Sequence, residues 1–263
     1  MSLSSRLRDR SSRIIREMRP SRDGNLAFIH VPKCGGTSVC KSITRLYPPR
    51  RITDVKSFES KECVDFLGMD LLEFRKALLV YELMLGGTGR FLHGHYPVDD
   101  RICERWSNDW TFVTVLRDPV ERWISHYFFN LNSDSPFSVS DSLSDFLESP
   151  KASYFGTLYA RFLGGLSGDD SSDISAAVAA SCRTLDQMTH VGFVDQLDAF
   201  ATLLGQTLST RIDIGHLNHN RTNKSERNEQ LTPAIMDRIR EICSVDQEIY
   251  DYAAKRFRAE VAP

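Results

Sequence analysis

A lysine, two glycines and two hydroxyl residues stand close together near the amino-terminal end of the chain. The run from His30 to Ser38 reads His-Val-Pro-Lys-Cys-Gly-Gly-Thr-Ser and follows a short apolar segment. Glycine lets backbone amides approach a ligand closely, and the first amides of a helix lack partners and lie at its positive end. This pattern predicts a site for a phosphate or sulfate group. The residues of the predicted anion site are Lys33, Gly35, Gly36, Thr37 and Ser38.

The loop of nucleoside triphosphatases and kinases is the rival interpretation of this run. That loop has the pattern G-x-x-x-x-G-K-[ST], with the lysine directly before the hydroxyl residue. Here Lys33 precedes both glycines, and Gly36 is followed directly by Thr37. No predicted strand ends in an acidic pair suited to Mg²⁺. The displaced lysine favours a different chemistry, with a kinase-like site as the alternative.

A second polar cluster follows the apolar run Thr111 to Leu116. Arg117 is expected at the carboxyl end of a strand, where open α/β sheets bind ligands, and its guanidinium suits a bidentate phosphate contact. Ser125 lies eight residues further on, about two helical turns, and is predicted to face the same loop. A surface ion pair of Arg117 with Asp118 or Glu121 is the alternative.

The segment His93-Gly-His95 supplies two candidate proton acceptors. Imidazole titrates near neutrality, so a histidine can accept a proton at pH 7. In an extended segment the two side chains would project to the same face, so that His93 could assist His95. A structural or metal-binding pair is the alternative, but the spacing gives a metal site little support. We therefore predict no metal.

The elements that must position these residues alternate between strands and helices. Strands are predicted at 26–31, 112–116 and 190–194, and helices at 37–47, 120–130, 196–204, about 60–85, 141–165 and 232–258. Ser- and Asp-rich stretches at 132–145 and 167–175 are predicted as surface loops. The alternation predicts a single α/β domain, with a mainly parallel sheet flanked by helices and a P-loop-like nucleotide-binding core.

Composition excludes several classes of protein. Of the 263 residues 41% are hydrophobic and 26% are charged, which is ordinary for a globular protein. The formal net charge of −2 lacks the basic excess of a nucleic-acid-binding protein, so we expect no nucleic acid partner. The longest apolar stretch, 77–85, is broken by Glu82 and is far shorter than the ~20 residues of a membrane span.

Residues 1–24 form a basic segment ahead of the domain predicted at 25–263. The segment contains seven arginines, with apolar residues at loosely helical spacing. Such a helix can lie on an anionic membrane or dock on a partner, and a solvated terminal helix is the alternative. We find no secretory signal, and the six cysteines form no C-x-x-C pair. Reduced thiols and a cytoplasmic location are therefore expected.

The runs at 28–40 and 113–127 resemble the two donor-binding motifs of sulfotransferases that use 3′-phosphoadenosine 5′-phosphosulfate (PAPS). The resemblance is closest to the branch of the uronyl and heparan sulfate 2-O-sulfotransferases and their bacterial relatives. In that family the loop amides and the equivalents of Lys33, Thr37 and Ser38 bind the 5′-phosphosulfate. Cys34 stands where the family more often has threonine.

The resemblance also implies roles for the other candidate residues. The equivalents of Arg117 and Ser125 contact the 3′-phosphate of the donor, and the second histidine of the branch's His-Gly-His segment, matching His95, is the base. The segment 218–224 resembles the late loop over the nucleotide, through which Thr222 and Lys224 could close on the 3′-phosphate. The resemblance covers about residues 25–257.

The activity implied by the resemblance is transfer of a sulfuryl group from PAPS to a hydroxyl of a carbohydrate or other alcohol, without a metal. The acceptor is expected to be a small molecule, a glycan or a glycolipid. The chain has 33 Lys and Arg against 35 Asp and Glu, which favours an acceptor of low negative charge. A nucleotide kinase or a non-catalytic nucleotide-binding protein of the same fold is the alternative.

Overall fold

A parallel β-sheet forms the centre of the protein. The computed structural model describes residues 24–131, 133–167, 173–215 and 224–258, with the backbone alone at 224–226. The strands are β1 (Asn25–Ile29), β2 (Ile52–Asp54), β3 (Phe91–Gly94), β4 (Trp110–Leu116) and β5 (His190–Phe193). Within the described ranges they form one sheet in the order β2-β3-β1-β4-β5, and every pair is parallel. All five strands therefore end at the same edge.

The helices cover both faces of this sheet. They are α1 (Gly36–Thr44), α2 (Ser57–Leu67), α3 (Leu71–Met84), α4 (Asp100–Trp106), α5 (Pro119–Leu131), α6 (Leu143–Leu147), α7 (Pro150–Gly156), α8 (Leu158–Gly164), α9 (Ile174–Asp186), α10 (Leu197–Thr207), α11 (Lys224–Gln230), α12 (Pro233–Ile242) and α13 (Ser244–Phe257). Short 3₁₀ turns precede β2 and follow β5.

The central strand β1 shows why these residues form a buried strand. All five of its residues are buried, and alternate side chains face opposite sides because a strand has a period of two. Ala27 and Ile29 pack into the cluster formed with α3, α4, α8, α9 and α13. Leu26 and Phe28 pack into the cluster formed with α1 and α10. A strand apolar on both faces is typical of a parallel sheet covered by two helical layers.

A third apolar cluster lies among helices α5, α6, α7 and α12. Trp123 of α5 is at its centre, and its ring contacts Tyr127, Phe146 and Phe155. The indole nitrogen donates to the carbonyl of Ala152 at 3.0 Å. This cluster fixes α5, the helix that follows β4.

The predicted single α/β domain with a parallel sheet is confirmed, and the strands predicted at 26–31, 112–116 and 190–194 correspond to β1, β4 and β5. Three segments that were predicted as single helices are interrupted in the structure. Residues 60–85 form two helices, because Gly68 ends α2 in the left-handed conformation and Asp70 caps α3. Residues 141–165 form α6, α7 and α8, and residues 232–258 form α12 and α13, which meet at Cys243.

Within the described ranges no helix is both long enough and apolar enough to cross a lipid bilayer. The six cysteines are free thiols, and Cys34, Cys103 and Cys243 are buried. Residues 1–23, most of the predicted basic segment, lie outside the described residues.

Candidate functional site

Three loops meet at the carboxyl edge of the sheet. In the β1–β4 pairing Ile29 lies opposite Thr114, and in the β1–β3 pairing it lies opposite Gly94. The segments that follow these neighbouring strands contain Lys33, His95 and Arg117 respectively. The topology therefore brings the three candidate residues to one edge, where ligands bind in open α/β sheets.

The glycine loop leads directly into helix α1. Gly35 is the N-cap residue with φ 70°, and no side chain of the described residues caps the helix. A helix start without a capping side chain can bind an anion through its first amides, which is the role that the sequence predicts for this turn. Thr37 is exposed and Ser38 is buried at this helix start.

Gly36 has a packing role that the sequence did not indicate. A β-carbon at this position would lie 2.0 Å from Nε2 of His30, so no larger residue fits without displacing the ring. The imidazole of His30 thus lies directly beneath the start of α1. It stacks on Phe28, with ring centroids 5.5 Å apart and an interplanar angle of 10°.

Lys33 combines a strained backbone with a perturbed charge. Its φ of 66° is left-handed, a conformation that costs free energy for a residue with a β-carbon. Its Nζ lies 3.5 Å from the centroid of the Phe129 ring. Burial, followed by the charge of Arg117, lowers the pKa of Lys33 to about 8. Among the described residues no carboxylate forms an ion pair with it, so this charge suits an incoming anion.

Arg117 lies directly after β4 and is 24% exposed. Its Nη2 is 3.2 Å from Oε2 of Glu121, so the surface ion pair considered as an alternative is present. Asp118 has a different role, because its Oδ1 accepts from the backbone amide of Glu121 at 3.0 Å. The Glu121 side chain is 52% exposed, so the pair contributes little, about 1 kcal/mol or less, and leaves Arg117 open to a stronger anion.

Arg227 of α11 reaches the same carboxylate and was not predicted. Its Nη2 lies 3.7 Å from Oε2 of Glu121, and its guanidinium lies 5.8 Å from the centroid of the Phe128 ring. Its Nε is buried without a partner among the described residues. A single arginine in a short late helix gave no signal in the sequence. The structure nevertheless places two guanidinium groups around Glu121.

Ser125 is buried on α5, the helix that Arg117 precedes. Its neighbour His126 stacks on Phe155, with ring centroids 3.8 Å apart. Burial and then the charges of Arg122, Lys33 and His95 lower the pKa of His126. His126, which the sequence did not single out, is therefore neutral at pH 7 and lies near the candidate lysine and base.

His95 is oriented by the backbone of β1. Its Nδ1 lies 2.7 Å from the carbonyl oxygen of His30, which can only accept, so Nδ1 carries the proton and Nε2 keeps a lone pair. The rings of His95 and His30 have centroids 4.5 Å apart. Burial lowers the pKa of His95 to about 4, although the bond to His30 raises it. This value lies below the near-neutral titration expected from the sequence.

His93 has different neighbours from His95. It lies within β3, with Nδ1 3.4 Å from Oδ1 of Asp54 on the edge strand β2. Burial lowers its pKa, although Asp54 raises it. Gly94 separates the two histidines with φ 140°, and a β-carbon there would lie 2.5 Å from Cγ1 of Val55. His95 therefore contacts the loop after β1, whereas His93 contacts β2.

The two late-loop candidates are not tested by these contacts. Thr222 lies outside the described residues, and Lys224 begins α11 with its backbone alone described. In the part of the chain that the structure describes, no group of three or more His, Cys, Asp or Glu side chains could hold a metal ion.

Residues 16–253 match the family model described as Sulfotransferase family, which covers most of the chain. No curated protein matches the chain.

Proposed function

Because the chain belongs to the Sulfotransferase family, we propose that it transfers the sulfuryl group of PAPS to a hydroxyl of a carbohydrate or other alcohol. The single observation that carries this proposal is the convergence of Lys33, His95 and Arg117 after three neighbouring strands. An anion site, a second cation and a proton acceptor are the groups that such a transfer needs.

The donor would lie across the loops that follow β1 and β4. The free amides of α1, with Lys33, Thr37 and Ser38, would bind the 5′-phosphosulfate. Arg117 and Ser125 would bind the 3′-phosphate, and Arg227 adds a third cation near this end. Thr222 and Lys224 are proposed to close over the same phosphate.

Sulfuryl transfer follows the logic of phosphoryl transfer, with a loose, in-line transition state. The acceptor oxygen forms a bond to sulfur while the bond from sulfur to the 5′-phosphate oxygen breaks. The Lys33 ammonium would stabilise the charge that develops on that leaving oxygen. The acceptor's proton would pass to Nε2 of His95, the ring nitrogen left without a proton by the bond to His30.

An acceptor of low negative charge fits the surroundings of Lys33. The Phe129 ring lies against this ammonium group and is 52% exposed. An apolar ring beside the reacting end of the donor offers a surface to the carbon-bound hydrogens of a sugar or small alcohol. We therefore propose a neutral glycan, a glycolipid head group or a small alcohol as the acceptor.

Incubation of the full chain with PAPS and a panel of such acceptors, with and without chelator, tests this proposal. Mass spectrometry should detect an added sulfate on at least one acceptor, and chelator should leave the rate unchanged. Arg117→Ala serves as the control with impaired donor binding. Turnover of ATP with Mg²⁺ but not of PAPS would instead indicate a kinase. Donor binding without transfer to any acceptor would indicate a non-catalytic nucleotide-binding protein.

A further inference from the structure

A buried phenol lies between the two loops assigned to the donor. Tyr159 of α8 is fully buried, and its hydroxyl accepts from the backbone amide of Arg117 at 2.8 Å. The same hydroxyl donates to the carbonyl oxygen of Arg117 at 2.5 Å. On its other side, the Sγ of Cys34 in the glycine loop lies 3.5 Å from this oxygen. One side chain therefore contacts both loops.

These contacts lie beyond the point where β1 and β4 pair with each other. The last pair between these two strands is Ile29 with Thr114, although β4 stays paired with β5 as far as Leu116. Cys34 and Arg117 come five and three residues later, so no ladder fixes their separation. Buried backbone groups require partners, and the phenol provides them for Arg117. The Cys34 side chain is buried and faces this phenol.

Tyr159 is itself held firmly. Asp246 of α13 accepts from the backbone amides of Tyr159 at 2.9 Å and Ala160 at 3.1 Å, at the start of α8. The same carboxylate pairs with Arg122 of α5 at 2.8 Å, and both side chains are fully buried. The Arg122 guanidinium lies 5.0 Å from the centroid of the Tyr159 ring. The phenol is thus fixed by helices that do not form the loops.

We propose that Tyr159 is a positioning residue that fixes the separation of the phosphosulfate loop and Arg117. The inference rests on the proposed function, because it assigns the two loops to the two ends of one donor. Two rigidly spaced anion sites bind a ligand with two anionic ends better than independent sites would, since the second contact becomes intramolecular. Tyr159 acts through Arg117 and Cys34, and the donor does not touch it.

The test compares two ligands in the full chain. Adenosine 3′,5′-bisphosphate carries both anionic ends, and adenosine 5′-monophosphate carries only the 5′ end. We expect the parent protein to prefer the bisphosphate strongly. In Tyr159→Phe that preference should fall about tenfold, the size of a lost hydrogen bond to a loop backbone, while binding of the monophosphate stays nearly unchanged. Calorimetry measures both dissociation constants.

Tyr127→Phe is the matched control. Tyr127 is as buried as Tyr159, and its hydroxyl also donates to a backbone carbonyl, that of Asp141 at 2.9 Å. Its hydroxyl contacts neither loop of the site, so the preference for the bisphosphate should remain. A general loss of packing would weaken the binding of both nucleotides equally. A change in the separation of the two loops would weaken the binding of the bisphosphate alone.

The possible results separate the two proposals. A parent that binds both nucleotides equally would contradict the 3′-phosphate assignment and the positioning role with it. A parent with a strong preference that survives in Tyr159→Phe, or a variant that loses both ligands equally, would overturn the positioning role alone. If Tyr159→Phe does not fold, hydrogen exchange at the Arg117 amide of the unliganded parent decides. Protection supports the phenol contact, and free exchange refutes it.

Discussion

Replacing His95 by asparagine removes the proposed base while keeping its anchor. An asparagine amide can still donate to the carbonyl oxygen of His30, which His95 contacts through Nδ1 at 2.7 Å, but it offers no basic nitrogen. Burial lowers the pKa of His95 to about 4, so at pH 7 all but about one molecule in a thousand holds the neutral ring. The base is therefore present, although weaker than an ordinary histidine.

This weakness sets the expected size of the effect. A positioned general base contributes ~10²–10⁴-fold, and a low pKa places His95 at the lower end of that range. We expect His95→Asn and His95→Ala each to lower kcat by ~10²-fold, about 2.7 kcal/mol of transition-state stabilisation. The dissociation constant of adenosine 3′,5′-bisphosphate should not change, because the base does not bind the donor.

His93→Ala is the matched control. The Nδ1 atom of His93 lies 3.4 Å from the part-exposed Asp54, and such a contact contributes about 1 kcal/mol or less. His93→Ala should therefore lower kcat less than tenfold. The assay is steady-state release of the bisphosphate with the acceptor found in the screen, followed from pH 5 to 8. In the parent the acid limb of kcat should lie below pH 6.5, the ordinary pKa of histidine, because burial lowers the pKa. Near-normal turnover in both His95 variants would refute the assignment, and a larger loss in His93→Ala would transfer the role to His93.

Three further predictions concern the charges of the site and the buried ion pair behind it. Lys33→Ala should chiefly lower kcat, because the negative charge that Lys33 stabilises develops in the transition state. Arg117→Ala should instead weaken bisphosphate binding roughly tenfold or more in calorimetry. Equal bisphosphate binding by both variants and the parent would contradict the Arg117 role. Donor affinity should fall as pH rises through about 8, because Lys33 loses its proton there in the unliganded protein, whereas a bound anion would raise its pKa. A donor affinity that does not change from pH 7 to 10 would contradict this coupling. Asp246→Asn leaves the Arg122 charge buried without its partner and should cost about 3–5 kcal/mol in denaturant unfolding. The exposed Asp186→Asn removes the charge that pairs with Arg256 but keeps an oxygen that can accept from Tyr252, so it should cost about 1 kcal/mol or less in the same unfolding experiment. Equal losses in both variants would contradict the burial argument.

The sequence predicts the part of the fold where local pattern and tertiary environment agree. β1 and β4 are apolar runs because central parallel strands are covered on both faces, and each is followed by a proline or glycine break. These two strands carry the Lys33 and Arg117 loops. The candidate donor site was therefore predictable from the same residues that made the strands recognisable.

The edge strand β2 and its neighbour β3 were not predicted as strands. β2 has three residues and β3 has four, too few to establish a period of two. The helices α4 and α9 were also not predicted. For the break between α2 and α3 a signal was present, since Gly68 and Asp70 are typical end and start residues of helices.

The C-terminal segment contains a stripe of isoleucines, Ile235, Ile239, Ile242 and Ile249, and shows a different limit. Its period predicted one helix over 232–258, but Ile239 packs with the cluster around Trp123 and Ile249 packs against the sheet. Two cores in different directions require a break, and Cys243 provides it. The break also lets Asp246 reach Arg122 and the start of α8. No local pattern shows that one apolar stripe serves two cores.

The charges of the site can be read only from the folded chain. The net charge of −2 does not show where individual charges lie, so the sequence indicated only that any anion site must be local. In the structure the buried cation Arg122 is matched by the equally buried carboxylate of Asp246, as a structural charge must be. Lys33 has no such carboxylate among the described residues, and burial together with Arg117 lowers its pKa to about 8. A half-buried ammonium at a strained loop position, kept beside a second cation, lowers the stability of the unliganded protein. An anionic donor would reverse that cost, so the unmatched charge itself supports the assignment of this edge to ligand binding.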